Sequence, residues 1–378
     1  METSWELWAS RWRAQSEDLT ARGMFRTLGS APLSRFSHND YLGLRHDPRL
    51  LKGLVQALEE GIPTTSTGSR LLSGNLDQFQ SFESRFARAA GFPSGLVFAS
   101  ASEANRAIIQ ALVDRHDVAL QDSLAHASLI DGVVQSGAQR RKFAHNDPED
   151  LREQLRQGGG KIRLVVTESV FSMDGDIAPL RDLHQVCKEE GAFLLVDEAH
   201  AVGLFGEHRT GVAESIPKDS TLIATTQGFG KGLASAGGIL CTAPQVLERI
   251  ANHSRAFIFT TAPSPLAIKA AELAWDLSCA DGGRHAHLEH LCTHFAQGIH
   301  ALGWPLPERS LPTPIFPLLC GGLVASVQAS AQLAKHNIHL RPIRPPTVPP
   351  GTERLRATVT ADLHTSDLDE FLGALRHV

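Results

Sequence analysis

Two apolar runs each lead into residues that can do chemistry. Ala192-Phe193-Leu194-Leu195-Val196 ends on Asp197, and His200 follows it. Thr221-Leu222-Ile223-Ala224 leads through Thr225-Thr226-Gln227-Gly228-Phe229-Gly230 to Lys231 and Gly232. Each run is of strand length, too short for a typical helix. In an open α/β sheet, ligands sit beyond the carboxyl ends of the strands, which places Asp197, His200 and Lys231 around one crevice. A lone aspartate after a strand usually caps a turn, and a lysine among glycines is usually a solvated loop residue, so the weight comes from the other stretches of the chain. A carboxylate, an imidazole and a lysine in a glycine-rich loop suit pyridoxal 5′-phosphate, which takes a lysine as its Schiff-base partner and an acidic group for its pyridinium nitrogen.

The elements that must position these groups follow from periodicity. Gly95-Leu96-Val97-Phe98 reads as a strand; the small residues Ala99-Ser100-Ala101-Ser102-Glu103 then lead into a helix from Ala104. Free N–H groups and the dipole at such a helix start favour an anion. Val118-Ala119-Leu120 leads to Asp122 and His126, and Leu164-Val165-Val166 to a polar stretch running from Thr167 to Asp176 that contains Glu168 and Ser172. Strands alternating with helical stretches argue a mainly parallel, doubly wound sheet, with a polar cluster at each strand end. Helical spacing recurs at Leu50, Leu51, Leu54, Val55 and Leu58, and at Phe79, Phe82, Phe86 and Ala90. Between them, small residues around Arg70 suggest a loop that approaches something closely. Residues 1–30 are helix-prone, with Trp5, Leu7, Trp8 and Trp12 on a face expected to pack on the body or on a partner subunit. Tyr41, the only tyrosine, reads as a core aromatic with one satisfied hydroxyl. Near the end, a stiff proline-shaped segment from Ile343 to Pro349 precedes a strand-like run from Leu355 to Thr360, and Arg344 and Arg356 are candidates for a carboxylate clamp.

A chain of 378 residues exceeds one ordinary core. The expected division is an N-terminal segment over 1–45, a large cofactor-binding domain over 46–265 and a smaller C-terminal α/β domain over 266–378. A net charge of −5 gives no support for nucleic-acid binding. No apolar run reaches membrane-spanning length, and the first residues lack the basic-then-apolar plan of a signal peptide. Five cysteines without paired spacing fit reduced thiols and a cytoplasmic location. His285, His287, His290 and His294 have no carboxylate triad or cysteine pair beside them, so no metal site is expected.

Together these stretches resemble the α-oxoamine synthase family of pyridoxal-phosphate enzymes, with the aspartate-aminotransferase fold (fold type I). The resemblance runs from Asn39 to about Leu372 and rests on Asn39-Asp40-Tyr41-Leu42-Gly43-Leu44, Asp122 to Ser128, Phe143-Ala144-His145-Asn146-Asp147, Val170 to Asp176, Val196-Asp197-Glu198-Ala199-His200, Phe229-Gly230-Lys231-Gly232 and Ile343 to Pro349. It implies that Lys231 holds the cofactor, Asp197 pairs with the pyridinium nitrogen, His200 and Ser172 meet the ring's phenolic oxygen, and His126 stacks on the ring. Ala101 and Ser102 would lie at the phosphate, joined by Thr260 and Thr261 from the other subunit of a homodimer. Arg26 and Thr347 would contact substrate, and Arg356 the amino-acid carboxylate. The implied reaction is a decarboxylative condensation of L-alanine with a pimeloyl thioester carried on coenzyme A or acyl carrier protein; the alternative is a related synthase using a different acyl thioester or amino acid. The chain departs from the family pattern in having Gly228 for a phosphate-binding threonine, Ala101-Ser102 for Gly-Phe or Gly-Tyr, Phe79 for a histidine, and Ala234-Ser235-Ala236-Gly237-Gly238 after the lysine loop.

Overall fold

The computed structural model describes residues 2–28 and 35–378; Met1 and residues 29–34, which include the end of the helix-prone stretch, lie outside them. Three helices come first: α1 (Ser4–Ala21), α2 (Pro48–Glu59) and α3 (Asp77–Ala89). Strands and helices then alternate as β1 (Ser94–Phe98), α4 (Ala101–Leu112), β2 (Val118–Asp122), α5 (Ala127–Ser136), β3 (Gln139–Phe143), α6 (Pro148–Arg156), β4 (Arg163–Glu168), α7 (Leu180–Glu190) and β5 (Phe193–Asp197). After β6 (Leu222–Gly228) and β7 (Gly238–Thr242) come α8 (Pro244–His253), α9 (Arg255–Ile258), α10 (Pro265–Ala280) and α11 (Gly282–Ala301). The last elements are β8 (Ile315–Leu319), α12 (Leu323–Ala334), β9 (Pro342–Ile343), β10 (Arg354–Thr358) and α13 (Thr365–Leu375).

The large sheet has the order β1-β7-β6-β5-β4-β2-β3. β7 runs antiparallel to both its neighbours and the other pairs are parallel. β4 and β5 are largely apolar because both faces of the sheet are covered there, whereas the edge strand β3 carries Gln139, Arg140, Arg141 and Lys142. Val118, Leu120, Val165, Leu194 and Val196 enter one core with Phe79, Phe82 and Phe86 of α3. Ala119, Leu164, Val166 and Leu195 alternate into the opposite core, with Ile108 and Ile109 of α4 and Leu129 and Val133 of α5. Uncharged polar residues such as Gln121, Thr167, Thr225 and Gln227 remain buried within the strands, while the charged candidates collect beyond the carboxyl edge.

α10, expected to open the second domain, packs on α2 and α3, with Ile268, Ala271 and Ala274 buried. The small sheet, β8-β10-β9, is antiparallel. It docks on the loop after β4: Thr313 Oγ1 donates to the Gly175 carbonyl and Arg354 pairs with Asp174. Gly175 sits at φ +69°, where a Cβ would come within 2.5 Å of the Ile315 carbonyl oxygen, so that position requires glycine. α1 starts with a capping box between Thr3 and Glu6, yet none of its residues is buried. Trp5 and Trp8 stack on each other at 5.1 Å and, with Trp12, remain exposed instead of packing on the body. The histidines of α11 serve as structural hydrogen-bonders: His285 bridges the Asp281 and Gly203 carbonyls, His287 meets the Leu363 carbonyl, and His294 meets Asp369.

The loop after β4 is held from its other side by His145. Its Nδ1 lies 2.9 Å from Asp122 and its Nε2 2.8 Å from Asp176. Burial alone would lower the imidazole's pKa, but the two carboxylates raise it to about 10. A histidine raised above its ordinary value of about 6.5 adds stability that is complete below that value and is lost as pH rises through about 10. The melting temperature is therefore expected to fall between pH 6.5 and 10, and His145→Asn, less stable at neutral pH, should show a flatter slope in that window. Equal slopes would remove this role from His145.

Candidate active site

All strands of the large sheet except β7 point their carboxyl ends to one edge, and that edge carries Ala101 and Ser102 after β1, His126 after β2, Ser172 after β4, Asp197 and His200 after β5, and Lys231 after β6. The lysine turn is held rigid by Phe229, which is buried and meets Phe82 and Phe86 edge-on, and by Ser235 Oγ, which donates to the Ala267 carbonyl at 2.6 Å.

Asp197 is buried and doubly anchored. One carboxylate oxygen accepts from the Ala199 N–H at 2.8 Å and the other from Asn105 Nδ2 at 2.6 Å. Asn105 also donates to Ser128 Oγ at 3.0 Å and accepts from Thr226 Oγ1 at 2.6 Å. Ser128 Oγ in turn lies 2.8 Å from Nδ1 of His126, whose ring is exposed. One network thus fixes both the carboxylate and the exposed imidazole. Asn105, Ser128 and Thr226 were not singled out by the sequence analysis. A polar residue amid Ala104, Ala107 and Ile108, on the buried face of a helix, was the signal available for Asn105.

Burial lowers the pKa of Lys231 below its ordinary value, against the opposing pull of Asp197 and Glu168. Glu168 is fully buried, with Oε1 unpartnered; burial, and then the Asp197 charge, push its pKa well above the ordinary range. Burial, and then the positive charges of Lys231 and Arg356, push the His200 pKa well below its ordinary value and favour the neutral imidazole. Depressed basicity makes a lysine amine more readily available as a nucleophile and as a base.

Arg356 reaches this edge from β10. Its Nε donates to the Ser172 carbonyl at 2.6 Å, its Nη1 to Asn39 Oδ1 at 2.9 Å and its Nη2 to the Tyr41 hydroxyl at 3.3 Å. Arg344, the other clamp candidate, is instead committed to the backbone, donating to the Gly23 and Phe25 carbonyls. Arg26 donates to the Pro345 carbonyl at 3.2 Å, and Thr347 N–H to the Arg344 carbonyl, so the structure brings Arg26 and Thr347 to one strap of chain. Arg70 is also spent internally: it pairs with Glu83 at 2.7 Å and lies over the Phe79 ring at 5.0 Å. What its loop approaches is a buried carboxylate.

At the far end of the edge, α4 begins at Ala101, three residues before the sequence expectation, and its N-cap is Ser100, whose side chain accepts from the Glu103 N–H. Ser102 is therefore inside the first turn and does not cap the helix. Thr260 Oγ1 donates to the Thr261 carbonyl at 3.5 Å and lies near the Glu103 carboxylate of its own chain, and Thr261 is exposed. A Cβ at Gly228 would lie 3.1 Å from the Ala199 Cβ and 3.3 Å from the Ala101 Cβ. The methyl of Ala101 thus fills the room that a side chain at position 228 would use. The residues present suit pyridoxal 5′-phosphate: an anchored carboxylate for a ring nitrogen, a half-buried lysine, an exposed imidazole for a ring face, and a helix start with free N–H groups for a phosphate.

Residues 32–375 match the family described as aminotransferase class I and II. The chain is 35% identical to 8-amino-7-oxononanoate synthase of Anaeromyxobacter sp. (strain K), covering 97% of this chain and 94% of that protein. Serine palmitoyltransferase of Sphingomonas wittichii superposes with a TM-score of 0.87 at 28% identity, over 97% of this chain and 96% of the other. An 8-amino-7-oxononanoate synthase structure from Francisella tularensis superposes with a TM-score of 0.77 at 26% identity, over 90% of this chain and 96% of the other.

The pairing of Gly228 with Ala101 has a direct consequence. Gly228→Thr in the cofactor-free protein should cost about 1–3 kcal/mol through overpacking, read by denaturant unfolding. Adding Ala101→Gly, which removes one of the two methyls in the way, should recover part of that loss beyond the sum of the single changes. Strictly additive effects would show that the two positions do not share the space.

Proposed function

Because the chain belongs to the aminotransferase class I and II family, we propose that it uses pyridoxal 5′-phosphate to condense L-alanine with a pimeloyl thioester into 8-amino-7-oxononanoate, a step of biotin synthesis. The observation that carries the chemistry is the half-buried Lys231 amine of lowered basicity beside the anchored Asp197 carboxylate. The likeness to 8-amino-7-oxononanoate synthases over almost the whole chain supports the substrates.

When bound, the cofactor supplies an electron sink for charge developing on the amino acid's α-carbon. Lys231 Nζ would hold the cofactor covalently and, as a free amine, would take the proton from that carbon. Asp197, fixed by Asn105 and the Ala199 N–H, keeps the ring nitrogen protonated. His126 supports the ring face, and His200 with Ser172 binds the ring oxygen. The first turn of α4, with Ala101 and Ser102, receives the phosphate, where the helix dipole favours a dianion. Arg356 takes the amino-acid carboxylate, and Arg26 and Thr347 contact the acyl substrate. A carbon–carbon bond would form between the α-carbon and the thioester carbonyl as the carbon–sulfur bond breaks and the thiol leaves; the carboxylate would then depart as carbon dioxide, and the α-carbon would be reprotonated. We place the reaction in the cytoplasm, where the free cysteines stay reduced; among the described residues no helix is long and apolar enough to cross a membrane.

The likeness to serine palmitoyltransferase favours a second reading, a related synthase with another amino acid or acyl thioester. Release of free thiol decides between them, with L-alanine, L-serine and glycine each offered against pimeloyl and longer acyl thioesters, on coenzyme A and on acyl carrier protein. Fastest release with L-alanine and a pimeloyl thioester supports the first reading; L-serine with a long chain supports the second. Lys231→Ala should abolish turnover while leaving the unfolding transition cooperative, and substantial remaining activity would sink the lysine assignment.

We further propose that the enzyme is a homodimer. Leu51, Val55 and Leu58 form an exposed apolar stripe on α2. Exposed Leu71, Leu72 and Phe259 lie on segments 64–74 and 259–264, which run side by side through the Ala262 N–H to Gly68 carbonyl and Ser66 Oγ to Pro263 carbonyl bonds. A face this apolar fits a self-complementary two-fold contact, and such a contact would carry Thr260 and Thr261 toward the partner's phosphate site. Val55→Glu should shift the protein to monomers in sedimentation and lower cofactor retention. A parent that is monomeric and fully active at assay concentration would refute the dimer.

A further inference from the structure

The hydroxyl of Tyr41 lies between two groups of the site. It is 2.6 Å from His200 Nδ1, 3.3 Å from Arg356 Nη2 and 3.3 Å from Asn39 Oδ1. Tyr41 is 0% exposed, so no bulk water competes for these bonds. The direction of each bond follows from chemistry. A guanidinium can only donate, so the phenolic oxygen accepts from Arg356. Its single proton then goes to His200 or to Asn39, and Asn39 Oδ1 already accepts from Arg356 Nη1 at 2.9 Å. The much shorter distance gives the proton to His200 Nδ1. A neutral imidazole that accepts at Nδ1 carries its own proton on Nε2, and burial and the neighbouring cations favour that neutral form.

We propose that Tyr41 is a positioning residue that joins the carboxylate-binding arginine to the cofactor-facing histidine, setting His200 as an Nε2–H donor through the directed chain Arg356 to Tyr41 to His200. The inference rests on the proposed assignment of Arg356 to the amino-acid carboxylate and of His200 to the ring oxygen. The chain does two things. It stops the imidazole from adopting the other tautomer, which would turn a lone pair toward the ring oxygen. It also makes the phenol sensitive to the engagement of Arg356, since a carboxylate on the guanidinium changes what the guanidinium donates to Tyr41.

As the only tyrosine of the chain, Tyr41 can be observed alone. Protein grown on tyrosine labelled with carbon-13 at Cζ gives one ring-carbon signal. In the cofactor-free protein that signal should move in both Arg356→Lys and His200→Phe; a signal unmoved in either overturns the chain. In the holoenzyme, L-alanine should move it in the parent and not in Arg356→Lys. Tyr41→Phe, which keeps the ring and loses the hydroxyl, should retain the cofactor yet shift the pH midpoint of its visible absorbance band. It should also lower kcat about threefold to tenfold, the worth of one hydrogen bond, with KM for L-alanine changed less than about twofold. A variant that loses only melting temperature, with the same kcat and the same absorbance midpoint, shows a merely structural tyrosine and overturns the proposal. The cofactor-free signal does not depend on any substrate, so a failure of the proposed condensation, seen as a parent that binds cofactor without releasing thiol, remains distinct from a failure of the Tyr41 chain.

Discussion

Taking a lysine, a histidine and two carboxylates largely out of water is costly unless the charges offset one another, and the site depends on that balance. Lys231 is pulled toward neutrality by burial and toward charge by Asp197 and Glu168. Glu168 is pushed toward the neutral acid by its own burial and by Asp197. Asp197 is the anchored member of the cluster: an amide and a backbone N–H hold its two oxygens. The lowered basicity of Lys231 is thus a property of the cluster, and it suits a group that must both bond a carbonyl carbon and carry a proton.

The scaffold supports such a cluster by packing apolar layers on both faces of the sheet. Both faces of the large sheet are sealed by apolar layers, so the strand ends are the places where charged side chains can gather and still reach solvent or a ligand. The supports come from elsewhere. Asn105 enters from α4, Tyr41 and Asn39 from the segment before α2, and Arg356 from the small sheet. The junction that delivers Arg356 is made by Gly175, Thr313, Arg354 and Asp174, and the loop bearing Gly175 is clipped to β2 through His145. The small sheet is therefore part of the site's geometry.

Departures from the family pattern become intelligible as packing. Gly228 alone looks like a lost hydroxyl. Beside Ala101 and Ala199 it is the partner of a methyl that occupies the same space. Phe79, in place of a histidine, is covered by the Arg70 guanidinium, which Glu83 and Asn75 hold in position.

Local pattern determined much of this by itself. Strand-length apolar runs ending in Asp197, Asp122 and Glu168, alternating with amphipathic helices, are enough to infer a parallel sheet with its polar groups on one edge, because both faces of such a sheet must be apolar and chain direction puts the strand ends together. Residue types at those ends made Lys231, Asp197 and His200 candidates, and the structure gathers them at one edge of the sheet. Tertiary structure alone decided which polar residues support them. Asn105 reads locally as one residue of a helix, Tyr41 as a core aromatic and Arg344 as an equal of Arg356. Each makes a hydrogen bond to a distant partner, 92 positions away for Asn105, 315 for Tyr41 and 321 for Arg344, and no local period encodes a partner at that range. The start of α4 was misplaced for a related reason: Ser100 and Ser102 are equally good caps by residue type, and only the backbone path out of β1 selects Ser100.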